Sequence, residues 1–212
     1  MSLEVINQNE NKISIRLKGI PIQYANALRR ICLNGVPIFA IDTIEVLENT
    51  SIMPDEAIAH RLGLIPLKTD SKDIVISEEA QDESNSRVML TLDSEENDLE
   101  DKSETRTVFS NELKGEESGV RPISDKIPIV TLAPGQKIKF QAYARLGRGT
   151  EHAKWNSANT SVLTETKNKD EHILTVESTG SLDAKNIVLI GMDELSTRLV
   201  KFKEMLSDLK TK

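Results

Sequence analysis

The strongest pattern of apolar positions lies near the C-terminus. Seven apolar residues recur there at spacings of 4, 3, 4, 3, 4 and 3, which is the heptad spacing of a helix that packs along one seam. The pattern predicts a helix over residues 183–209, roughly 40 Å long. It leaves two interpretations open, an ordinary core-facing helix and a helix at a subunit interface. The seven residues are Val188, Met192, Leu195, Leu199, Phe202, Leu206 and Leu209.

The N-terminal residues predict a hairpin followed by a helix. Apolar and polar residues alternate over residues 13–17 after a polar turn, which predicts a β-hairpin with one buried face. Pro21 is suited to the first position of a helix that runs to Asn34 and ends at Gly35. The apolar stripe of this helix contains Tyr24, Ala27, Leu28 and Ile31.

Two arginines, Arg29 and Arg30, lie on another face of the predicted helix. Guanidinium groups in this position are suited to binding carboxylates of another chain. A solvated face explains them equally well, so both interpretations stay open.

The middle of the chain predicts mostly strands. A strand over residues 39–49 is followed by a short helix that begins at Pro54 and Asp55 and ends at Gly63. Asp55 and Glu56 suit the start of a helix without any catalytic role, and His60 suits its end. Further strands follow, with a hairpin turn signal at "LAPGQ".

Together these elements predict an α+β protein in two parts. Residues 1–40 and 163–212 form a discontinuous α/β dimerisation domain that carries the long C-terminal helix. Residues 41–162 form a mostly-β inserted domain. Within it, residues 70–119 contain 16 acidic and five basic residues, a net charge of −11, while the rest of the chain carries +4. Such charge favours a solvated edge or long loops.

Composition excludes several classes of protein. Cys32 is the single cysteine and the chain has three histidines, which excludes a disulfide framework and argues against a zinc or iron–sulfur site. No apolar run approaches the roughly 18 residues of a membrane-spanning helix. The polar, acidic N-terminus resembles neither a signal nor a transit peptide. A cytoplasmic protein without a cofactor is expected.

The stretch "GRGTEHAKW", residues 147–155, contains the candidate chemistry. Its glycine spacing fits neither a P-loop nor a dinucleotide fingerprint. Glu151 and His152 are adjacent, and no Ser or Cys nucleophile lies in a recognisable elbow. A polar turn anchored by Trp155 is favoured over an acid/base centre.

Three stretches carry a family resemblance. "ANALRRICLNGVPIFAIDTIEVLENTS", "PDEAIAHRLGLIPL" and "IPIVTLAPGQKIKFQAYARLGRGTEHAKW" together resemble the α-like subunits of multisubunit RNA polymerases. The length of the chain and the segment "YARLGRG" favour the archaeal, D-type members of this family over the third-largest subunit of the nuclear enzyme. The long C-terminal helix falls where this family has its dimerisation helix.

The resemblance implies a non-catalytic scaffold subunit of a nucleotidyltransferase complex. It implies pairing with a smaller α-like partner, subunit L, and assembly with small zinc-binding subunits and the two large catalytic subunits. The implied dimer seam consists of Tyr24, Leu28, Ile31 and the seven heptad residues. The implied docking residues for the other subunits are Arg29, Arg30, Asp55, Glu56, His60, Arg61, Arg148, Glu151, His152, Lys154 and Trp155.

Departures from the family narrow these expectations. Some archaeal relatives carry a cysteine-rich insertion with an iron–sulfur cluster, and the cysteine-free residues 162–180 predict that no cluster is present here. The bacterial relative appends a DNA-binding domain, and a chain of 212 residues predicts little or no direct contact with DNA. Two alternatives remain: a homodimeric α-type subunit, and a stand-alone enzyme that acts on a phosphorylated substrate.

Overall fold

A computed structural model describes residues 1–70, 74, 87–94, 105–115, 119–168 and 170–209. The chain divides into two compact units, one made of Met1–Pro37 and Arg148–Lys212 and the other of Ile38–Gly147. Helices and antiparallel sheets both occur, which confirms the predicted α+β class.

The described residues contain three α-helices and ten strands. The helices are α1 (Ile22–Asn34), α2 (Asp55–Gly63) and α3 (Ala184–Leu209). The strands are β1 (Ser2–Gln8), β2 (Lys12–Lys18), β3 (Ile38–Asn49), β4 (Val88–Asp93), β5 (Arg106–Phe109), β6 (Lys114–Gly115), β7 (Pro128–Leu132), β8 (Ile138–Gly147), β9 (Ala158–Glu165) and β10 (Glu171–Ser178).

The first unit is built on an antiparallel sheet in the order β1–β2–β10–β9. Because side chains alternate between the faces of a strand, β2 directs its apolar residues to one face, on which α1 and α3 pack. The opposite face is polar and carries cross-strand ion pairs such as that between Arg16 and Glu4, 2.8 Å apart. The buried apolar residues of β2 and β10 are Ile13, Ile15, Leu17, Leu174 and Val176.

The predicted hairpin forms, but only β2 is buried. Leu3 and Val5 of β1 pair with Leu17 and Ile15 and therefore share the helix-covered face of the sheet. They are nevertheless 64% and 54% exposed, because the helices pack over β2, β9 and β10.

Helices α1 and α3 approach each other closely at a glycine. A Cβ atom added to Gly191 of α3 would lie 3.3 Å from Sγ of Cys32 on α1. A larger residue would push the helices apart, since protein interiors have few voids. Gly191 therefore permits the contact between the helices.

The second unit is mostly β, with one sheet in the order β3–β8–β4–β6 and a two-stranded sheet of β5 and β7. Its core includes Ile41, Ile58, Leu62 and Phe140. The "LAPGQ" turn forms around Gly135, whose φ of 76° favours glycine. It joins strands of different sheets, however, so the expected hairpin pairing of β7 with β8 does not occur.

The compact units differ from the predicted domain boundaries, which lie after residues 40 and 162. The observed divisions lie after Pro37 and Gly147. Residues 148–162 go with the first unit because β9 pairs with β10 in its sheet. Of the acidic segment 70–119, β4, β5 and β6 are described, and much of the remainder lies outside the described residues.

Candidate functional site

Helix α3 changes its surroundings halfway along its length. In its first turns Ala184, Ile187 and Val188 are buried, with at most 8% exposure. From residue 196 to residue 208 every side chain is exposed. The helix therefore begins in the core of its unit and continues beyond it.

This change divides the predicted heptad seam. Val188 is buried, Leu195 is half-buried, and the side chain of Leu209 lies outside the described residues. The exposed members are Met192 (46%), Leu199 (52%), Phe202 (59%) and Leu206 (45%).

The exposed apolar residues continue the face that is buried earlier in the helix. At about 100° per residue, Leu199 and Leu206 project within roughly 20° of Val188. The stripe that packs in the core in the first half is thus presented to solvent in the second half. Contiguous exposed apolar surface of this kind marks a site of interaction with another macromolecule.

The α1 residues predicted for the seam occupy two environments. Leu28 and Ile31 are each 8% exposed and pack within their own unit, whereas Tyr24 is 59% exposed. Leu3 and Val5 of β1, which sequence patterns did not assign to an interface, are also more than half exposed.

The loop that follows β8 is tied to α3 by a buried carboxylate. Glu194, 8% exposed, accepts from Nη2 of Arg148 at 2.5 Å and from Nε of Arg198 at 3.3 Å. Sequence reasoning missed Glu194. The only local signal is an acidic residue beside the apolar positions 191, 192 and 195 of the helix.

The same loop is also packed against the end of α1. The N–H of Thr150 donates to the carbonyl of Asn34 at 3.2 Å. A Cβ atom on Gly149 would lie 2.8 Å from Cβ of Asn34 and 2.0 Å from Oδ1 of Asn156. Only glycine fits this approach, so the second glycine of "GRGTEHAKW" has a packing role.

The acid/base candidates of this loop bind its own backbone. Glu151 accepts from the N–H of Arg148 at 3.0 Å, and Nδ1 of His152 accepts from the N–H of Lys154 at 3.1 Å. Trp155 is 2% exposed, and Nζ of Lys154 lies 4.3 Å from the centre of its ring. These contacts hold a folded loop in the first unit, to which Trp155 also belongs.

The other predicted docking residues lie in both units. In the first, Arg30 is exposed, while Arg29 donates to Oδ1 of Asn26 at 2.9 Å and to the carbonyl of Ser161 at 3.3 Å. In the second unit, α2 carries four of the predicted residues, and all four are exposed: Asp55, Glu56, His60 and Arg61. Asp55 accepts a hydrogen bond from Asn49 at 2.6 Å, and Arg61 donates one to the carbonyl of Ile129 at 2.9 Å.

Cys32 is completely buried, and burial raises the pKa of its thiol from 9.0 to about 12. Among the described residues, no three His, Cys, Asp or Glu side chains lie together in a way that would hold a metal ion. The expectation that the chain binds no cofactor stays a prediction. In the same part of the chain, no helix combines the length and the hydropathy needed to cross a membrane.

Comparison with known proteins identifies the family. Residues 39–179 match the model of the RNA polymerase Rpb3/RpoA insert domain. DNA-directed RNA polymerase subunit Rpo3 of Pyrococcus horikoshii is 41% identical over 155 residues, which cover 73% of this chain and 56% of the relative. The subunits Rpo3 of Methanosphaera stadtmanae and Aeropyrum pernix are each 36% identical, over 76% of this chain and 59% and 58% of the relatives.

These matches define the class of protein that the chain resembles, the α-like subunits of multisubunit RNA polymerases. The chain belongs to the family that carries the Rpb3/RpoA insert domain. The matched region spans somewhat more than half the length of these relatives.

Proposed function

We propose that the chain is an archaeal D-type α-like subunit, a non-catalytic assembly component of DNA-directed RNA polymerase. It pairs with a smaller α-like subunit, of the subunit L type. The pair forms the platform on which the two large catalytic subunits and the small zinc-binding subunits assemble. The complex acts in the cytoplasm, and this chain makes little or no direct contact with DNA.

The observation that carries the proposal is the exposed continuation of the α3 seam. Leu199, Phe202 and Leu206 are 45% to 59% exposed on a helix that has already left its own core. Burial of apolar area contributes about 25 cal/mol per Å², so covering these side chains with a partner helix is favourable. The match of the chain to RNA polymerase subunits supplies the class of partner.

The uncovered face of β1 supports the same assignment. Leu3 and Val5 extend the helix-covered face of the first sheet, and they are more than half exposed. Interfaces of obligate partners resemble a core that has been divided between two chains. A sheet face and a helix seam that are both left open in one unit fit that description.

The enzyme alternative receives no support from the loop at residues 147–155. Glu151 and His152 each accept a hydrogen bond from a backbone N–H of the same loop. The loop itself is held to α3 through Glu194 and to α1 through Asn34. These contacts give the loop a structural role.

The test is recovery of polymerase from cells that express a tagged chain. The double variant Leu199→Asp/Phe202→Asp places two charges on the seam and is expected to lose the smaller α-like subunit and both large subunits. Val200→Asp is the matched control, because Val200 is 52% exposed like Leu199 but projects about 100° away. Recovery of intact polymerase with the double variant would refute the proposal.

A further inference from the structure

The strand β9 lies at an edge of the first sheet. Among the described strands its one neighbour is β10. An edge strand presents backbone N–H and C=O groups with which a further strand can pair. Helix α1 packs against one face of β9 and β10.

The register identifies which residues of β9 direct their backbone groups outward. The N–H of Thr166 donates to the carbonyl of Glu171 across the hairpin. Because bonded and non-bonded pairs alternate in an antiparallel ladder, the pairs Thr164–Ile173 and Val162–Thr175 are the bonded ones. Leu163 and Glu165 therefore turn their N–H and C=O groups away from β10.

A groove runs beside this edge, between β9 and α1. It has a volume of about 550 Å³, and its floor includes Ile22 and Asn26 of α1 with Val162 and Leu163 of β9. One end is closed by Arg29, which donates to the outward carbonyl of Ser161. An extended segment that enters the groove thus next meets Leu163, whose N–H and C=O groups point away from β10.

A second cavity of about 570 Å³ shares Ile22 with the groove as a lining residue. Carboxylates dominate the charge of its lining, which includes Glu165, Asp170 and Glu171. Nζ of Lys18 lies 3.7 Å from Glu171, so one of the three carboxylates is partly compensated. The cavity is therefore suited to a cationic side chain.

We propose that β9 binds an extended segment of another protein chain as an added strand. Residues of that segment opposite Leu163 and Glu165 lie two positions apart and point toward α1, since side chains alternate along a strand. The residue opposite Leu163 is apolar and packs near Ile22. The residue opposite Glu165 is lysine or arginine, because cross-strand pairs of opposite charge are favourable.

This site goes beyond the proposed function and lies on a different flank of the molecule from the α3 seam. Ile22, Asn26 and Arg29 occupy one stripe of α1, at spacings of four and three. Tyr24, the exposed α1 residue of the seam, projects roughly 160° away from Ile22. Failure of one interface therefore leaves the other testable.

The test uses the full chain labelled with ¹⁵N and a nine-residue peptide, acetylated and amidated, with Lys-Thr-Leu at its centre and alternating threonine and valine on both sides. Added antiparallel to β9, this peptide places its lysine opposite Glu165 and its leucine opposite Leu163. We expect the amides of Leu163 and Glu165 to exchange faster than those of Val162 and Thr164 in the free chain. Addition of the peptide is expected to slow both. Equal exchange in the free chain, or no binding up to the solubility limit of the peptide, would overturn the proposal.

Three variants separate strand addition from nonspecific binding. Leu163→Pro removes an outward N–H without removing a bond to β10, which an edge strand tolerates, and should weaken binding about tenfold. Glu165→Lys should weaken the binding of the lysine peptide and strengthen the binding of a peptide that has glutamate in place of the lysine. N-methylation of the peptide leucine should weaken binding with no change to the protein, so this arm holds even if Leu163→Pro fails to fold. Unchanged affinity in the charge-swap and N-methyl arms would overturn the proposal.

Discussion

Arg148 and Glu194 form an ion pair of 2.5 Å although 46 residues separate them in the sequence. Arg148 begins the loop after β8, and Glu194 lies on α3 about where that helix leaves its core. Arg198, one turn further along, shares the same carboxylate at 3.3 Å. The loop is thus fixed to α3 near the point where the helix becomes exposed.

Removal of Arg148 should destabilise the first unit. Arg148→Ala leaves the buried carboxylate of Glu194 with the longer contact to Arg198 alone, and hydrogen bonds to charged groups contribute about 1.5–3 kcal/mol. We expect the free energy of unfolding, measured with urea, to fall by about 1–3 kcal/mol. Arg16→Ala is the control, because its pair with Glu4 is exposed and should contribute less than about 1 kcal/mol. Equal losses in the two variants would contradict the assigned role of Glu194.

Gly149 should not tolerate even a methyl group. In Gly149→Ala the new Cβ would lie 2.0 Å from Oδ1 of Asn156 and 2.9 Å from Cα of Asn34, so the loop must move away from α1. Overpacking of this kind costs about 1–3 kcal/mol, which thermal unfolding would detect. Gly119→Ala should be near neutral, because no atom of the described residues lies within 4 Å of its added Cβ. A neutral Gly149→Ala would show that the loop does not pack as described.

Cys32 should give the stability of the chain a specific dependence on alkaline pH. Burial raises the pKa of the thiol from 9.0 to about 12, so above pH 9 the unfolded chain releases a proton that the folded chain keeps. Raising the pH therefore favours unfolding, and the contribution of Cys32 is present below about pH 9 and is lost progressively up to about pH 12.

The comparison with Cys32→Ala isolates this effect, because other titrating groups are common to both proteins. Between pH 9 and 11 the unfolding free energy of the parent chain should fall relative to that of the variant, with a limiting slope of about 1.4 kcal/mol per pH unit. Urea unfolding at several pH values measures the difference. Parallel curves would show that the thiol is not protected from ionisation.

Aspartate substitutions should destabilise the chain at buried positions of the heptad seam and leave its stability almost unchanged at exposed positions. Val188→Asp buries a charge without a partner and should cost at least about 2 kcal/mol of folding free energy. Leu199→Asp, at a side chain that is 52% exposed, should leave the stability of the isolated chain within about 0.5 kcal/mol. Thermal unfolding of both variants checks this. Equal destabilisation would place Leu199 in the core of its own chain.

Local patterns predicted the elements well. Pro21 and Gly35 bracket α1 in the structure as they do in the sequence, and α3 begins at Ala184 within one residue of the predicted start. Proline, glycine and apolar spacing act through the backbone of neighbouring residues, so their effects can be read locally. The alternation in β2 predicted its buried face for the same reason.

Long-range relationships could not be predicted in this way. The periodicity of α3 is the same in its buried and exposed halves, so it could not show where the core ends. The contact of Arg148 with Glu194, and the uncovered positions of Leu3 and Val5, depend on the order of strands and on where the helices cross the sheet. The turn at Gly135 shows the same limit, since its local geometry was predicted and the pairing of its flanking strands was not.

The most direct test of the assembly role is the mass of the complex formed with a smaller α-like subunit from the same organism. The two chains are co-expressed, and the purified product is measured by size exclusion with light scattering. We predict a 1:1 heterodimer that the Leu199→Asp/Phe202→Asp variant no longer forms. A monodisperse monomer, or a homodimer that ignores the smaller subunit, would contradict it.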